Sequence, residues 1–121
     1  MADTYSGREM DDLSSRGHRR LRQQLDELRT IFTRRPQVAG LNDFHSVMAM
    51  VGSELDNIGS AIDTNNIATV KSVLELLIAK VESLKSSLDR QGGDFKNLST
   101  ASEFTGRVLN QLRAMRATAR G

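Results

Sequence analysis

Two arginine stripes are the residues best suited to chemistry with a ligand. Arg16, Arg19 and Arg20 are three and four positions apart, and so share one face of a helix, with His18 and Arg22 nearby and Arg34-Arg35 downstream. Arg113, Arg116 and Arg120 repeat the spacing near the C-terminus. Guanidinium presents a planar fork of donors that matches carboxylate or phosphate, so each stripe suits phosphate contacts or acidic partners. Neither region carries interleaved aromatics, which argues against a dedicated single-strand stacking platform. Asp11, Asp12, Asp26 and Glu27 dilute the first stripe, and such charge is more often a solvated face or ion pairs to acidic protein surface, here the negative middle of a neighbouring subunit.

Catalytic chemistry is hard to assemble from the remaining residues. His18 and His45 fall on different predicted helices and belong to no metal-ligand spacing or His-Glu motif. No serine lies in a Gly-x-Ser-x-Gly elbow, and Gly92-Gly93 lacks the Lys-Ser/Thr of a phosphate loop. The acid pairs Asp11-Asp12 and Asp26-Glu27 are sequence neighbours, so on a helix their side chains diverge. With no cysteine, a disulfide, a thiol nucleophile and a thiolate metal site are all excluded. The expectation is a non-enzyme with no catalytic, cofactor or metal residue and no small-molecule substrate.

The elements that must position these side chains are helices. Phe44, Met48, Val51, Leu55, Ile58 and Ile62 form one apolar ladder, and Ile67, Val70, Leu74, Leu77, Val81, Leu84 and Leu88 a second. Every step is three or four residues, the signature of an apolar helix stripe made to pack on other helices. Val73 and Ile78 flank the second ladder, and Leu76 lies outside it. That width suits a bundle better than a two-stranded zipper. Leu21, Leu25, Leu28, Ile31 and Phe32 mark an earlier helix, and Phe104, Val108, Leu109, Leu112 and Met115 a last one. Met10 and Leu13 are out of phase, and Gly17 weakens the first helix by about 1 kcal/mol relative to Ala. Predicted helices are 9–34, 43–62, 66–90 and 99–118. Pro36 to Gly40 forms a connection, Asn42 or Asp43 and the Thr100–Glu103 box supply N-caps, and Gln91-Gly92-Gly93-Asp94 ends the third helix.

Asp63-Thr64-Asn65-Asn66 separates the two ladders and admits two readings. As a turn it gives an antiparallel hairpin. As helix, Ile62, Asn66, Val70 and Leu74 run in four-residue steps, the stutter of an unwound coiled coil, and residues 43–90 become one rod of about 70 Å. Four polar, turn-prone residues favour the hairpin. Gly52 and Gly59, one heptad apart beside the seam, should weaken their helix by roughly 2 kcal/mol together unless a neighbouring helix approaches closely there.

The fold class is therefore all-α: a four-helix bundle or helical hairpin with coiled-coil-like heptad packing, in one domain spanning 1–121 with flexible ends at 1–8 and 119–121. Aromatics are 4% of residues and tryptophan is absent, which predicts an aliphatic core. The net charge of +2 is unevenly spread: 1–36 carries eight arginines against six acids, 37–96 five bases against eight acids, and 97–121 four arginines against one acid. No stretch resembles a membrane span or a signal peptide, so a cytoplasmic setting, in a cell or an infected cell, is expected. Small helical proteins of this type include viral oligomerisation modules, phage assembly factors and secretion chaperones; the likeness is one of architecture alone. The expected role is homo-oligomeric scaffolding or assembly through protein contacts, with itself and another protein as partners. Val51, Leu55, Ile58, Leu74, Leu77, Val81 and Leu84 are the expected oligomer core. An arginine-driven dimer binding RNA or DNA is the alternative.

Overall fold

The computed structural model describes residues 15–91 and 96–119. They form four helices and no strand: α1 (Ser15–Thr33), α2 (Asn42–Asp63), α3 (Ile67–Arg90) and α4 (Lys96–Thr118). Each helix packs on its chain neighbours, and α4 closes back on α1. Cross-helix pairs run in opposite senses along every contact: His18 meets Ile62 while Arg29 meets Asp56, and Lys85 meets Ser102 while Arg116 meets Glu75. The result is a bundle-like, up-and-down array in which both ladders point inward.

Burial of the ladders is nearly complete. Phe44, Met48, Val51, Ile58, Ile62, Val70, Leu74, Leu77 and Val81 are fully enclosed, as are Leu21 and Leu28 of α1 and Val108, Leu112 and Met115 of α4. Removing each large side chain from water contributes roughly 1.5–3 kcal/mol, which makes this interior the main source of stability. The interior is not wholly aliphatic as composition suggested. Phe104 sits edge-on to both Phe32 and Phe44, with centroids 5.8 and 6.0 Å apart, and these three rings cluster where α1 ends and α2 and α4 begin. Three phenylalanines are few in a composition but decisive when the fold gathers them.

The chain reverses between the ladders. α2 stops at Asp63, Asn65 takes the left-handed conformation (φ 55°), and Asn66 caps α3 by accepting from the Thr69 amide at 3.2 Å. The Asn66 amide donates back to the Ala61 carbonyl at 2.8 Å. Residues 42–90 are thus a hairpin rather than a rod. At the other end of α2, Gly40 (φ 80°) turns the chain after Pro36, Val38 is buried, and His45 Nε2–H donates to the Val38 carbonyl at 2.9 Å.

Two predicted caps are not realised. α2 already begins at Asn42, behind Leu41, so no side chain caps it; Asp43 lies in the first turn, where a carboxylate suits the helix dipole. α4 begins at Lys96, which places Thr100 and Glu103 inside the helix and adds Leu98 to the core. Arg8 to Ser14, with Met10 and Leu13, and Gly92 to Asp94 lie outside the described residues, as do the predicted flexible ends apart from Ala119, which is buried.

Both α2 glycines face α1. A β-carbon at Gly52 would sit 3.8 Å from the Phe32 ring, and one at Gly59 3.4 Å from Leu25 Cδ2 and 3.5 Å from Arg29 Nη2. Close helix approach is therefore real at Gly59 and looser at Gly52. Gly52→Ala should raise stability by up to about 1 kcal/mol, because it gains helix propensity in ordinary contact distance. Gly59→Val should lower it by roughly 1–3 kcal/mol through overpacking. Urea unfolding of both variants checks the pair of opposite signs.

Candidate functional site

The seven residues expected to form an oligomer core all lie inside one chain. Val51, Ile58, Leu74, Leu77 and Val81 are fully buried, and Leu55 and Leu84 are 5% exposed. Their ladders cover one another and the flanking helices, so in this folded state none is presented to a second molecule. Leu76, 51% exposed, is the one large hydrophobic side chain standing free among the described residues.

The arginine stripes divide sharply. Arg113 Nη2 donates to Glu82 Oε2 at 2.5 Å, and Arg116 makes a forked contact to Glu75 Oε2 at 2.9 and 2.6 Å. Glu75 and Glu82 are one heptad apart on α3 and meet two arginines spaced by three on antiparallel α4. The C-terminal stripe is thereby spent on closing the α3–α4 interface. Arg120 lies outside the described residues. On α1, by contrast, Arg16, Arg19 and Arg20 are exposed and have no acidic partner among the described residues. The face beside them is engaged: His18 Nε2–H donates to the Ile62 carbonyl at 2.8 Å, Arg22 pairs with Asp63, and Arg29 pairs with Asp56 at 3.2 Å. One edge of α1 clasps α2, and the adjoining edge exposes guanidinium groups that have no acidic partner among the described residues.

A polar network that sequence reading missed joins α3 to α4. Lys85 Nζ donates to Asp89 Oδ2 at 2.8 Å and to Ser102 Oγ at 2.9 Å, while Ser102 Oγ donates to Asp89 Oδ1 at 2.6 Å. Gly106 lets the lysine stem lie close to α4: a β-carbon there would be 3.4 Å from Lys85 Cε. Grooves of about 430 and 550 Å³ flank the network, lined by Glu82, Lys85, Asp89, Ser102, Glu103 and Arg113 among others. Serine beside lysine invites a nucleophile–base reading, but the arrangement opposes it. The ammonium is held by a carboxylate and has no lone pair to take a proton, and the hydroxyl proton is committed to Asp89. The network is a cross-link between helices. Its members are separated in sequence by Gly92 to Asp94, so only the α3–α4 register brings them together; the Lys85–Asp89 spacing of four was the one local signal.

Hydrogen bonds from Lys85, then Ser102, hold the Asp89 carboxyl below its ordinary value of 3.8. Among the described residues no three His, Cys, Asp or Glu side chains gather as a metal-binding group, and no helix is long and apolar enough to cross a membrane. The chain matches no protein-family model, no curated protein sequence and no solved structure.

A carboxyl with a depressed folded-state pKa contributes stability above its unfolded value, and that contribution fades as pH falls through the folded one. Asp89→Asn should therefore lower the melting temperature slightly at pH 7. The difference from the parent should shrink steadily below about pH 4, where Asp itself begins to protonate. A gap that stays constant down to pH 2 would show that the negative charge of Asp89 adds nothing to stability.

Proposed function

We propose that this chain is a non-enzymatic helical module that associates with a second copy of itself and acts as a scaffolding or assembly component through protein contacts. The observation that carries this reading is the character of the outside. Among the described residues the surface consists of charged helix faces and open grooves, and the acids and bases that line those grooves are tied to one another across helix interfaces. Such a surface suits recognition of another folded surface better than it suits the enclosure of a small substrate. The coiled-coil-like spacing of both ladders supports self-association, because the same helices can complete one another between chains as well as within one. Sedimentation velocity over a concentration series tests this: a reversible shift from monomer to dimer is expected, and a single monomeric boundary at every concentration refutes it. Leu77→Asp should unfold the chain rather than leave a folded monomer, since this side chain is fully enclosed.

A second reading rests on Arg16, Arg19 and Arg20. Three exposed guanidinium groups on one face, with no acidic partner among the described residues, can meet successive phosphates of a nucleic acid duplex. Replacing all three with Gln should abolish low-salt binding to duplex RNA and flatten its salt dependence by about 0.9 for each phosphate no longer neutralised. Absence of binding by the parent protein at low salt removes this reading, and fluorescence anisotropy at two salt concentrations is enough to decide.

A further inference from the structure

We propose that the turn at Asp63–Asn66 is a hinge, and that two copies of the chain can exchange their α3–α4 hairpins by straightening it into continuous helix. The inference rests on the self-association reading and supplies its route. Every ladder residue except the half-buried Ile67 is already buried within one chain, so a second copy gains access to the core only by replacing part of it.

Four observations meet at this turn. The break is short: α2 ends at Asp63 and α3 starts at Ile67, so three residues lie between two helices of 22 and 24 residues. The apolar phase survives the break, since Ile62, Asn66, Val70 and Leu74 are four apart, and Ile62, Val70 and Leu74 are fully buried. Along a straightened segment of about 70 Å the apolar rows run on without a gap, the second turned by about 80° from the first because eight residues separate Ile62 from Val70. The closed turn also carries local penalties. Asn65 is a non-glycine residue at positive φ, and its Oδ1 is buried without a hydrogen-bond partner. Straightening relieves both, turning Asn65 into an ordinary helical residue. Against this stand the Asn66 cap and the low helix propensity of Thr64, Asn65 and Asn66, which hold the hairpin shut.

The exchange leaves all other interactions intact. α1–α2 of one copy packs on α3–α4 of the other through the same ion pairs and the same core, so closed and exchanged forms differ mainly at residues 63–66. Short hinges with balanced local preferences are where such exchange is easiest.

The chain has no native cysteine, which makes distance labelling direct. Ser46→Cys and Ser83→Cys place spin labels at exposed positions on α2 and α3. In the closed hairpin these positions lie side by side, about 10 Å apart between helix axes; along a straight helix the 37-residue separation becomes about 55 Å. The doubly labelled chain is refolded at high concentration with an excess of unlabelled protein, so that only distances within one chain are read. A dimer fraction with the long distance is expected. Asn65→Gly, which suits the left-handed turn, should reduce it. Asn65→Ala with Asn66→Ala disfavours the turn and removes the cap, and should raise it by about tenfold per hinge, hence about a hundredfold in a dimerisation constant that counts two hinges. A dimer that keeps the short distance overturns the hinge while leaving self-association standing. A monomer at all concentrations overturns both. Should the double variant fail to fold, an Asn65→Gly protein whose long-distance fraction equals the parent's overturns the hinge by itself.

Discussion

Two apolar ladders separated by four polar residues must leave water together, and the left-handed conformation of Asn65 folds them onto one another. With its backbone left-handed, α2 and α3 fold face to face and each stripe covers the other. With it right-handed, both stripes continue along one helix and need cover from elsewhere. Every other feature of the bundle follows from the first choice. α1 and α4 find a two-helix platform with its remaining apolar edge open, and their own stripes complete it. The Phe32, Phe44 and Phe104 cluster can form only because α1 and α2 turn back at the same end from which α4 sets out.

Polar side chains then distinguish this pairing from others of equal greasiness. On the α1–α2 side, His18, Arg22 and Arg29 reach backbone carbonyls and carboxylates of α2, and Gly59 allows the approach. On the α3–α4 side, Arg113 and Arg116 take Glu82 and Glu75, and Lys85, Asp89 and Ser102 lock together. Each of these contacts is partly exposed and individually small. Their value is directional: sliding either hairpin by one turn separates all the partners at once. The same logic explains why two arginine stripes with identical spacing end differently. The C-terminal stripe faces a helix that carries acids one heptad apart, whereas Arg16, Arg19 and Arg20 project beside a face already occupied by other cations.

Sequence periodicity was enough to place α2, α3, α4 and the end of α1 within three residues, because an apolar repeat of three and four survives any tertiary arrangement. The hairpin was legible too, since Thr64, Asn65 and Asn66 lower helix propensity together while Asn66 offers a cap. The start of α4 was not. The capping pattern at Thr100 is local and weak, and burial of Leu98 outweighs it by extending α4 backwards. Nor was the Lys85–Asp89–Ser102 network legible, because it depends on the register between two helices and no short-range pattern encodes register. Arg113 and Arg116 were visible as a stripe, but their assignment needed the position of Glu75 and Glu82 across an interface. Arg16, Arg19 and Arg20 differ from these in no local respect.

Periodicity shows that a stripe must be covered and is silent on which chain covers it. Val51, Leu55, Ile58, Leu74, Leu77, Val81 and Leu84 have the spacing of an interchain seam and yet lie in an intrachain core, with no contradiction between the two. A helix in a bundle and a helix in an oligomer bury the same face against the same kind of surface, and they differ only in the connectivity of the loops. This equivalence has a structural corollary. When a monomer already satisfies its own stripes, association must use either the outer surface, where Leu76 is the sole large apolar side chain exposed among the described residues, or the inner one, by exchanging equivalent pieces. The outer route offers little apolar area, and its charged faces are weakened by salt. The inner route recovers the whole core and every cross-helix ion pair, and its thermodynamic balance rests on three residues between α2 and α3. Under the proposed self-association, the conformational preference of the central turn therefore counts for more than the stickiness of the exterior.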